Sequence, residues 1–178
     1  MLPSAEYLRD WFIESGLLTG ATVSLQPSHV VGKQSGQQAA KTPQINVTEQ
    51  DLSLAIELRE AIYALVWARL HQAPLPADAM RAVNGFAAHA PLTSVLSQDG
   101  WFREGSARQA LSTLAREAIE LVGGEQADLL RECGRPVCTQ VYLDHSRGQR
   151  REWCSMATCG SRMKAKAYRD RKKAEAAK

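Results

Sequence analysis

The 178-residue sequence has no long apolar run, and none of its segments approaches the roughly 18 consecutive apolar residues that a membrane-spanning helix needs. It also has no basic segment followed by an apolar stretch near its start, which is the pattern of a signal peptide. We therefore expect a cytoplasmic protein with no membrane partner. Cysteine is scarce, and the four cysteines all lie between residues 133 and 159.

Compositional bias is also lacking, because 44% of the residues are apolar and 23% are charged. These values argue against collagen-like, coiled-coil and wholly disordered chains. Charge, in contrast, is distributed unevenly. Residues 1–130 contain 9 basic and 14 acidic side chains, whereas residues 131–178 contain 13 and 5. This asymmetry predicts two units with different partners: a helical domain over 1–128 and a basic, cysteine-bearing domain over 129–178.

The first unit shows helical periodicity in four segments, each preceded by a residue suited to capping a helix. The predicted caps are Ser4, Thr48 (with Asp51 three residues on), Asp78 and Ser106. Residues from about 20 to 46 are rich in Gly, Ser, Gln, Pro and Thr, which predicts a mobile loop with at most a short strand around residues 30–31. Asp99-Gly100 predicts a hairpin turn.

No residue of the first unit indicates catalysis, so we expect a protein that is not an enzyme. Its histidines, His29, His71 and His89, have no potential metal ligands at suitable spacing. Its tryptophans, Trp11, Trp67 and Trp101, are expected to pack in the core rather than to line a ligand pocket.

The four cysteines, Cys133, Cys138, Cys154 and Cys159, follow the spacing C-x4-C-x15-C-x4-C. Two such pairs separated by a hairpin-sized insert are typical of a closed, tetrahedral structural zinc site. Zinc suits thiolate ligands better than magnesium or calcium does. One alternative is a pair of disulfides, which is disfavoured because no export signal is seen. The other is free or redox-active thiols, which are disfavoured because the cysteines of a redox pair usually have two residues between them.

The sequence between the cysteines predicts a knuckle, a β-hairpin and a helix, in the order of a treble-clef finger. Gly134 and Pro136 suit a tight knuckle, and Val141–Leu143 alternates as a strand that we pair with a return strand over 149–153. Ser155 is the predicted cap of a final helix, with Cys159 in its first turn. The predicted fold class is therefore mainly α, with a helical N-terminal domain followed by this small finger.

Parts of this sequence resemble a known type of zinc finger and a known helical domain. The stretch Arg-Arg-Glu-Trp-Cys-Ser-Met over 150–156 and the element Cys-Gly-Ser-Arg over 159–162 resemble the CGNR-type zinc finger, which has Asn where this chain has Ser161. The segments 7–11, 16–18 and 58–65 and the pair Val83-Asn84 are similar to the helical ABATE domain, although the apolar start that ends in Asn-Thr is not found. The resemblance implies a bacterial, stress-linked transcription regulator that binds DNA.

The basic residues of the second unit fall in two groups that predict nucleic-acid contacts. Arg162, Lys166, Arg169 and Lys173 recur at helical spacing, and arginines flank the predicted hairpin. The candidate nucleic-acid-binding residues are Arg147, Arg150, Arg151, Arg162, Lys164, Lys166 and Arg169. A solvated basic tail is the alternative for this segment, and duplex DNA is preferred over RNA only through the family resemblance.

Together these observations predict a zinc-finger DNA-binding regulator whose helical domain senses a small-molecule effector or forms a homodimer. The alternative is a zinc-stabilised interaction module in which the finger docks an acidic protein. A catalytic zinc is disfavoured because four thiolates leave no open coordination position for a substrate.

Overall fold

The structure is a computed structural model that describes residues 3–18, 44–98 and 100–176. Most of the loop predicted over about 20–46, up to residue 43, lies outside the described residues, and so does the strand expected around residues 30–31. Asp99 of the predicted turn and His29 are also outside them.

The first unit contains four α-helices: α1 (Ala5–Glu14), α2 (Glu49–Leu70), α3 (Ala77–Ala87) and α4 (Ala107–Gly123). Three of the predicted caps are confirmed, because the hydroxyl groups of Ser4, Thr48 and Ser106 accept hydrogen bonds from backbone N–H groups in the first turns. At Thr48 and Ser106 the backbone N–H of the cap residue also donates to the side chain of the residue three positions later, which completes a capping box.

The prediction that Asp78 caps the third helix is wrong. That helix begins two residues earlier, with Pro76 at the cap position and no side-chain cap. Asp78 lies in the first turn, where a carboxylate favours the positive end of the helix dipole, and it pairs with Arg81.

Helix α2 is the central element of the first unit, since α1, α3 and α4 all pack against it. The shared core is aliphatic, with Phe12 and Phe86 as its aromatic members. The expectation that the tryptophans fill this core is wrong. Trp11, Trp67 and Trp101 remain 39%, 45% and 42% exposed.

The predicted hairpin is confirmed as β1 (Thr93–Ser97) paired antiparallel with β2 (Gly100–Glu104), with Ser97 opposite Gly100. It is joined to the turn that follows α1, because the backbone N–H of Arg103 donates to the Leu18 carbonyl at 2.9 Å. This contact places the hairpin beside the helical core.

The second unit follows a 3-10 turn over Glu125–Leu129 and contains β3 (Leu130–Glu132), β4 (Val141–Leu143) and α5 (Ser161–Ala176). The predicted pairing of Val141–Leu143 with residues 149–153 is wrong, because β4 instead pairs antiparallel with β3, which precedes the first cysteine. Gln149 has a positive φ of 51°, and the N–H of Arg151 donates to the Asp144 side chain, so the return segment forms no ladder. The predicted fold class, mainly α with a small zinc finger, is confirmed.

Candidate metal centre

The four cysteines come from four different positions of the second unit. Cys133 directly follows β3, Cys138 closes the knuckle before β4, Cys154 ends the return segment, and Cys159 lies in a π-helical turn over Met156–Gly160 that leads into α5. The expected side-chain cap from Ser155 is absent; its carbonyl instead accepts from the Gly160 N–H at 3.0 Å.

All four sulfur atoms lie within 4.8 Å of one another, and the Sγ atoms of Cys138 and Cys154 are 3.9 Å apart. Sulfurs bound at about 2.3 Å to a tetrahedral zinc ion would be about 3.8 Å apart. The cluster therefore fits zinc after a small contraction. Among the described residues it is the only group of three or more potential ligands that could hold a metal ion.

Backbone hydrogen bonds hold the knuckle in shape around the sulfurs. The N–H of Cys138 donates to the Arg135 carbonyl at 2.9 Å, and the N–H of Cys133 donates to the Gln140 carbonyl at 3.0 Å. The backbone N–H of Cys154 donates a hydrogen bond to the Sγ of Cys133 at 3.5 Å. This contact links the second cysteine pair to the first.

The electrostatic surroundings favour thiolates at two of the four positions. Burial raises the pKa of Cys133, but backbone N–H groups of Cys154 and Arg135 outweigh it and lower the pKa to about 7. The guanidinium of Arg135, 3.8 Å from the Sγ of Cys159, lowers the pKa of that thiol. Burial raises the pKa of Cys154 to about 12. Zinc binding must therefore displace a proton from Cys154, which makes metal affinity dependent on pH.

The indole of Trp153 lies between two glycines, each of which directly follows a cysteine. A Cβ atom added at Gly134 would lie 3.4 Å from the ring and 3.2 Å from the Glu152 carbonyl oxygen, and one added at Gly160 would lie 3.1 Å from the ring. At Gly134 a side chain would make the Glu152 carbonyl or the ring shift by a few tenths of an ångström, and at Gly160 it would also meet the Met156 sulfur at 2.6 Å, so both positions favour glycine. The tryptophan thus joins the two halves of the cysteine cluster.

A buried carboxylate, Asp144, makes a second set of contacts within the finger, and the sequence analysis did not predict them. Asp144 is fully buried, and its carboxylate accepts from the N–H groups of Ser146 and Arg151 at 2.9 and 3.0 Å. Hydrogen bonds from Ser146 hold the pKa of this carboxyl below its usual value. The sequence signals were that Asp144 follows a strand and precedes a turn, and that Tyr142-Leu143-Asp144 is part of the resemblance to the CGNR finger.

Arg151 is an architectural residue rather than a free surface charge. Its guanidinium donates to the Trp153 carbonyl at 2.7 Å and to the Cys154 carbonyl, and it lies 4.8 Å above the ring of Tyr142. The Tyr142 hydroxyl in turn donates to the Arg151 carbonyl. Two of the three guanidinium nitrogens are therefore engaged within the finger.

The other predicted nucleic-acid-binding residues are exposed. Because an α-helix has about 3.6 residues per turn, α5 places four basic residues on one face, and these are Arg162, Lys166, Arg169 and Lys173, called here the basic stripe. Lys164 lies on the opposite face of the helix, with Arg171. Arg147 and Arg150 lie in the loop after β4.

Ser161 begins the helix that carries the basic stripe. Its hydroxyl donates to the Met156 carbonyl at 2.7 Å, so this side chain secures the turn between the cysteine cluster and α5. An amide N–H of asparagine could donate in the same way. The substitution relative to the CGNR pattern is therefore compatible with the same turn.

Two family matches cover the chain. Residues 1–125 match the ABATE family, described as "Putative stress-induced transcription regulator", and residues 130–172 match the CGNR zinc finger. No curated protein matches the chain. None of the helices in the described residues is long and apolar enough to cross a membrane.

Proposed function

We propose that this chain, which belongs to the ABATE family and ends in a CGNR zinc finger that binds zinc, regulates transcription by contacting duplex DNA through α5. The observation that carries the proposal is the basic stripe on a helix that starts directly after a zinc ligand. Cys159 is the second residue before Ser161, the first residue of α5. Bound zinc, rather than an apolar core, would thus fix the direction of the helix.

Zinc would be held by Cys133, Cys138, Cys154 and Cys159, and it supplies structural cross-linking of the finger when bound. Four thiolates complete its tetrahedral shell, so a role without catalysis is part of the proposal. The DNA contacts then belong to α5 and to the two exposed arginines of the preceding loop, Arg147 and Arg150. Arginine and lysine in such positions contact phosphates and set the register of a helix on the duplex.

The salt dependence of duplex binding tests this proposal quantitatively. The four residues of the basic stripe, with one of the loop arginines, would neutralise about five phosphates, which gives a log–log salt slope of roughly −4 to −5 for each bound finger. Fluorescence anisotropy of a labelled random duplex, measured with zinc-loaded protein over a series of salt concentrations, gives this slope.

The two faces of α5 offer a matched pair of variants. The double change Arg162→Ala, Lys166→Ala removes two charges from the basic stripe and is expected to make the slope less steep by about 2. The double change Lys164→Ala, Arg171→Ala removes the same charge from the opposite face and is expected to change it by less than about 1. Equal effects of the two variants would indicate nonspecific attraction only.

The competing function, docking of an acidic protein, makes a different prediction. It requires that the zinc-loaded wild type shows no duplex binding even at low salt. That result would overturn the DNA proposal, whatever the zinc content of the protein.

An effector site is also part of the proposal, and the candidate place for it is an open surface depression where the end of α2 meets the segment that enters the finger. The depression has a volume of about 340 Å³, and its lining includes Ala68, Arg69, Ala73, Asp128 and Arg131. A compound that raises the melting temperature of the wild type but not of Ala73→Trp would locate the effector here. Equal effects on both proteins would place it elsewhere.

A further inference from the structure

The knuckle, residues 134–137, carries one charged side chain, and this side chain extends to the last cysteine of the cluster. The guanidinium of Arg135 donates to the Sγ of Cys159 at 3.8 Å. Arg135 lies between the two cysteines of the first pair, whereas Cys159 belongs to the second pair, so the side chain connects the two. Among the described residues, no other charged side chain donates to a sulfur of the cluster.

The backbone of Arg135 is held independently of its side chain. The N–H of Cys138 donates to the Arg135 carbonyl at 2.9 Å and closes a tight turn. Pro136 follows Arg135 in this turn, at the position where the fixed φ of proline favours it. The N–H of Arg135 is in turn directed at the Sγ of Cys133. A substitution of Arg135 therefore removes the guanidinium and leaves the backbone contacts of the knuckle in place.

The charge of the guanidinium complements the charge of a loaded zinc site. Four thiolates around one zinc ion leave roughly two negative charges in excess. Within the part of the chain that the structure describes, Arg135 forms no ion pair with a carboxylate, so the cysteine cluster is its negative partner. Cys159 is buried and Arg135 is half-buried, which makes a charge-assisted hydrogen bond between them less screened than one at the open surface.

We propose that Arg135 retains zinc by donating a charged hydrogen bond to the Cys159 thiolate while that thiolate binds the metal. Arg135 is then a positioning residue, because it acts on the metal through Cys159 and is not itself a ligand. Residues that hydrogen-bond the ligands of a metal typically change its affinity about 10- to 100-fold. The proposal rests on the zinc site and does not depend on DNA binding.

Competition between the full chain and a chelator of known zinc affinity measures this effect. Arg135→Met keeps an apolar side chain of similar length but removes the charge, and we expect it to weaken zinc binding about tenfold or more. Arg135→Lys keeps the charge without the planar fork of donors, so we expect a smaller loss. Arg171→Met is the control and should leave zinc affinity unchanged, because it removes one charge about three helical turns beyond Cys159.

Cobalt(II) in place of zinc gives a readout that a merely structural role of Arg135 would not change. The sulfur-to-cobalt charge-transfer band responds to the electron density on the thiolates, whereas the visible d–d bands respond to the coordination geometry. Loss of the hydrogen bond leaves the Cys159 sulfur richer in electrons. The charge-transfer band of Arg135→Met should therefore move to longer wavelength, while the d–d bands stay at the wild-type positions.

Three results would overturn the proposal. The first is a zinc affinity of Arg135→Met equal to that of the wild type. The second is an equal loss of affinity in Arg135→Lys and Arg135→Met, because the charge would then contribute nothing. The third is a cobalt spectrum of Arg135→Met in which the d–d bands move or the charge-transfer band does not, since the side chain would then act on the geometry of the site or not at all.

Discussion

Removal of zinc should unfold the finger and leave the helical unit folded, because the two units are stabilised differently. From residue 131 to 176, the only buried residues are Cys133, Asp144, Cys159 and Gly160, so no apolar core exists there without the metal. Structural zinc contributes about 10–16 kcal/mol to the folding of small finger peptides. The first unit, in contrast, has an aliphatic core that involves no metal ligand.

The size of the expected change follows from the helix lengths. The helices α1 to α5 contain 10, 22, 11, 17 and 16 residues, so α5 contributes 16 of 76 α-helical residues in the described part of the chain. An isolated helix of this length is marginally stable in water. Complete loss of the metal should therefore reduce the circular dichroism signal at 222 nm by about one fifth, and the remaining signal should still melt cooperatively.

The assay is a titration of reduced protein with a zinc chelator, followed by addition of excess zinc. The signal should fall by about one fifth and return when zinc is restored, and Cys154→Ser should show the reduced signal from the start. A loss of more than half would refute the reasoning, because it would mean that the two units fold as one. An unchanged signal in protein shown to be metal-free would refute it in the other direction, since the finger would then have another source of stability.

Two further changes test the contacts that surround the zinc site. Gly160→Ala is expected to destabilise the finger by about 1–3 kcal/mol, since the new methyl group would lie 2.6 Å from the Met156 sulfur and 3.1 Å from the Trp153 ring, and both side chains would have to shift. Chelator competition should show faster zinc release, and Gly123→Ala, where a Cβ meets nothing within 4 Å, is the control. Asp144→Asn is expected to speed zinc release too, because an amide returns only one acceptor to two N–H donors. Because the folded pKa of Asp144 is lowered, the difference from the wild type should be constant from about pH 8 to pH 5 and shrink only as the pH falls below about 4; a difference that vanishes near neutral pH would contradict this role.

Local signals in the sequence predicted the helices well, because a cap acts within four residues. Thr48 with Asp51 and Ser106 with Gln109 form reciprocal hydrogen bonds that depend on nothing outside the first turn. Asp78 was misplaced because proline at the preceding positions can begin a helix without a side-chain cap. The cysteine spacing was similarly local and specific.

Long-range pairings could not be predicted in the same way. The strand over Val141–Leu143 has only three residues, and such a short alternation does not specify its partner. Leu130 decides the pairing in the structure, since it is buried and its strand lies against α2. The exposure of Trp67 was also beyond the sequence, because α2 is apolar around most of its circumference and periodicity does not show which side meets the core.

The residues that identify this finger by sequence are mostly the residues that build it. Arg151 and Trp153 of the Arg-Arg-Glu-Trp-Cys stretch, and Gly160 of the Cys-Gly-Ser-Arg element, make their contacts inside the finger. The residues of the basic stripe of α5 are exposed, so we expect that they can change without disturbing the zinc site. The motif therefore predicts the fold of the finger. The DNA sequence that the finger prefers must instead depend on exposed positions that the motif does not specify. On this reasoning, exchanging the stripe residues of α5 should alter duplex preference while zinc content stays constant.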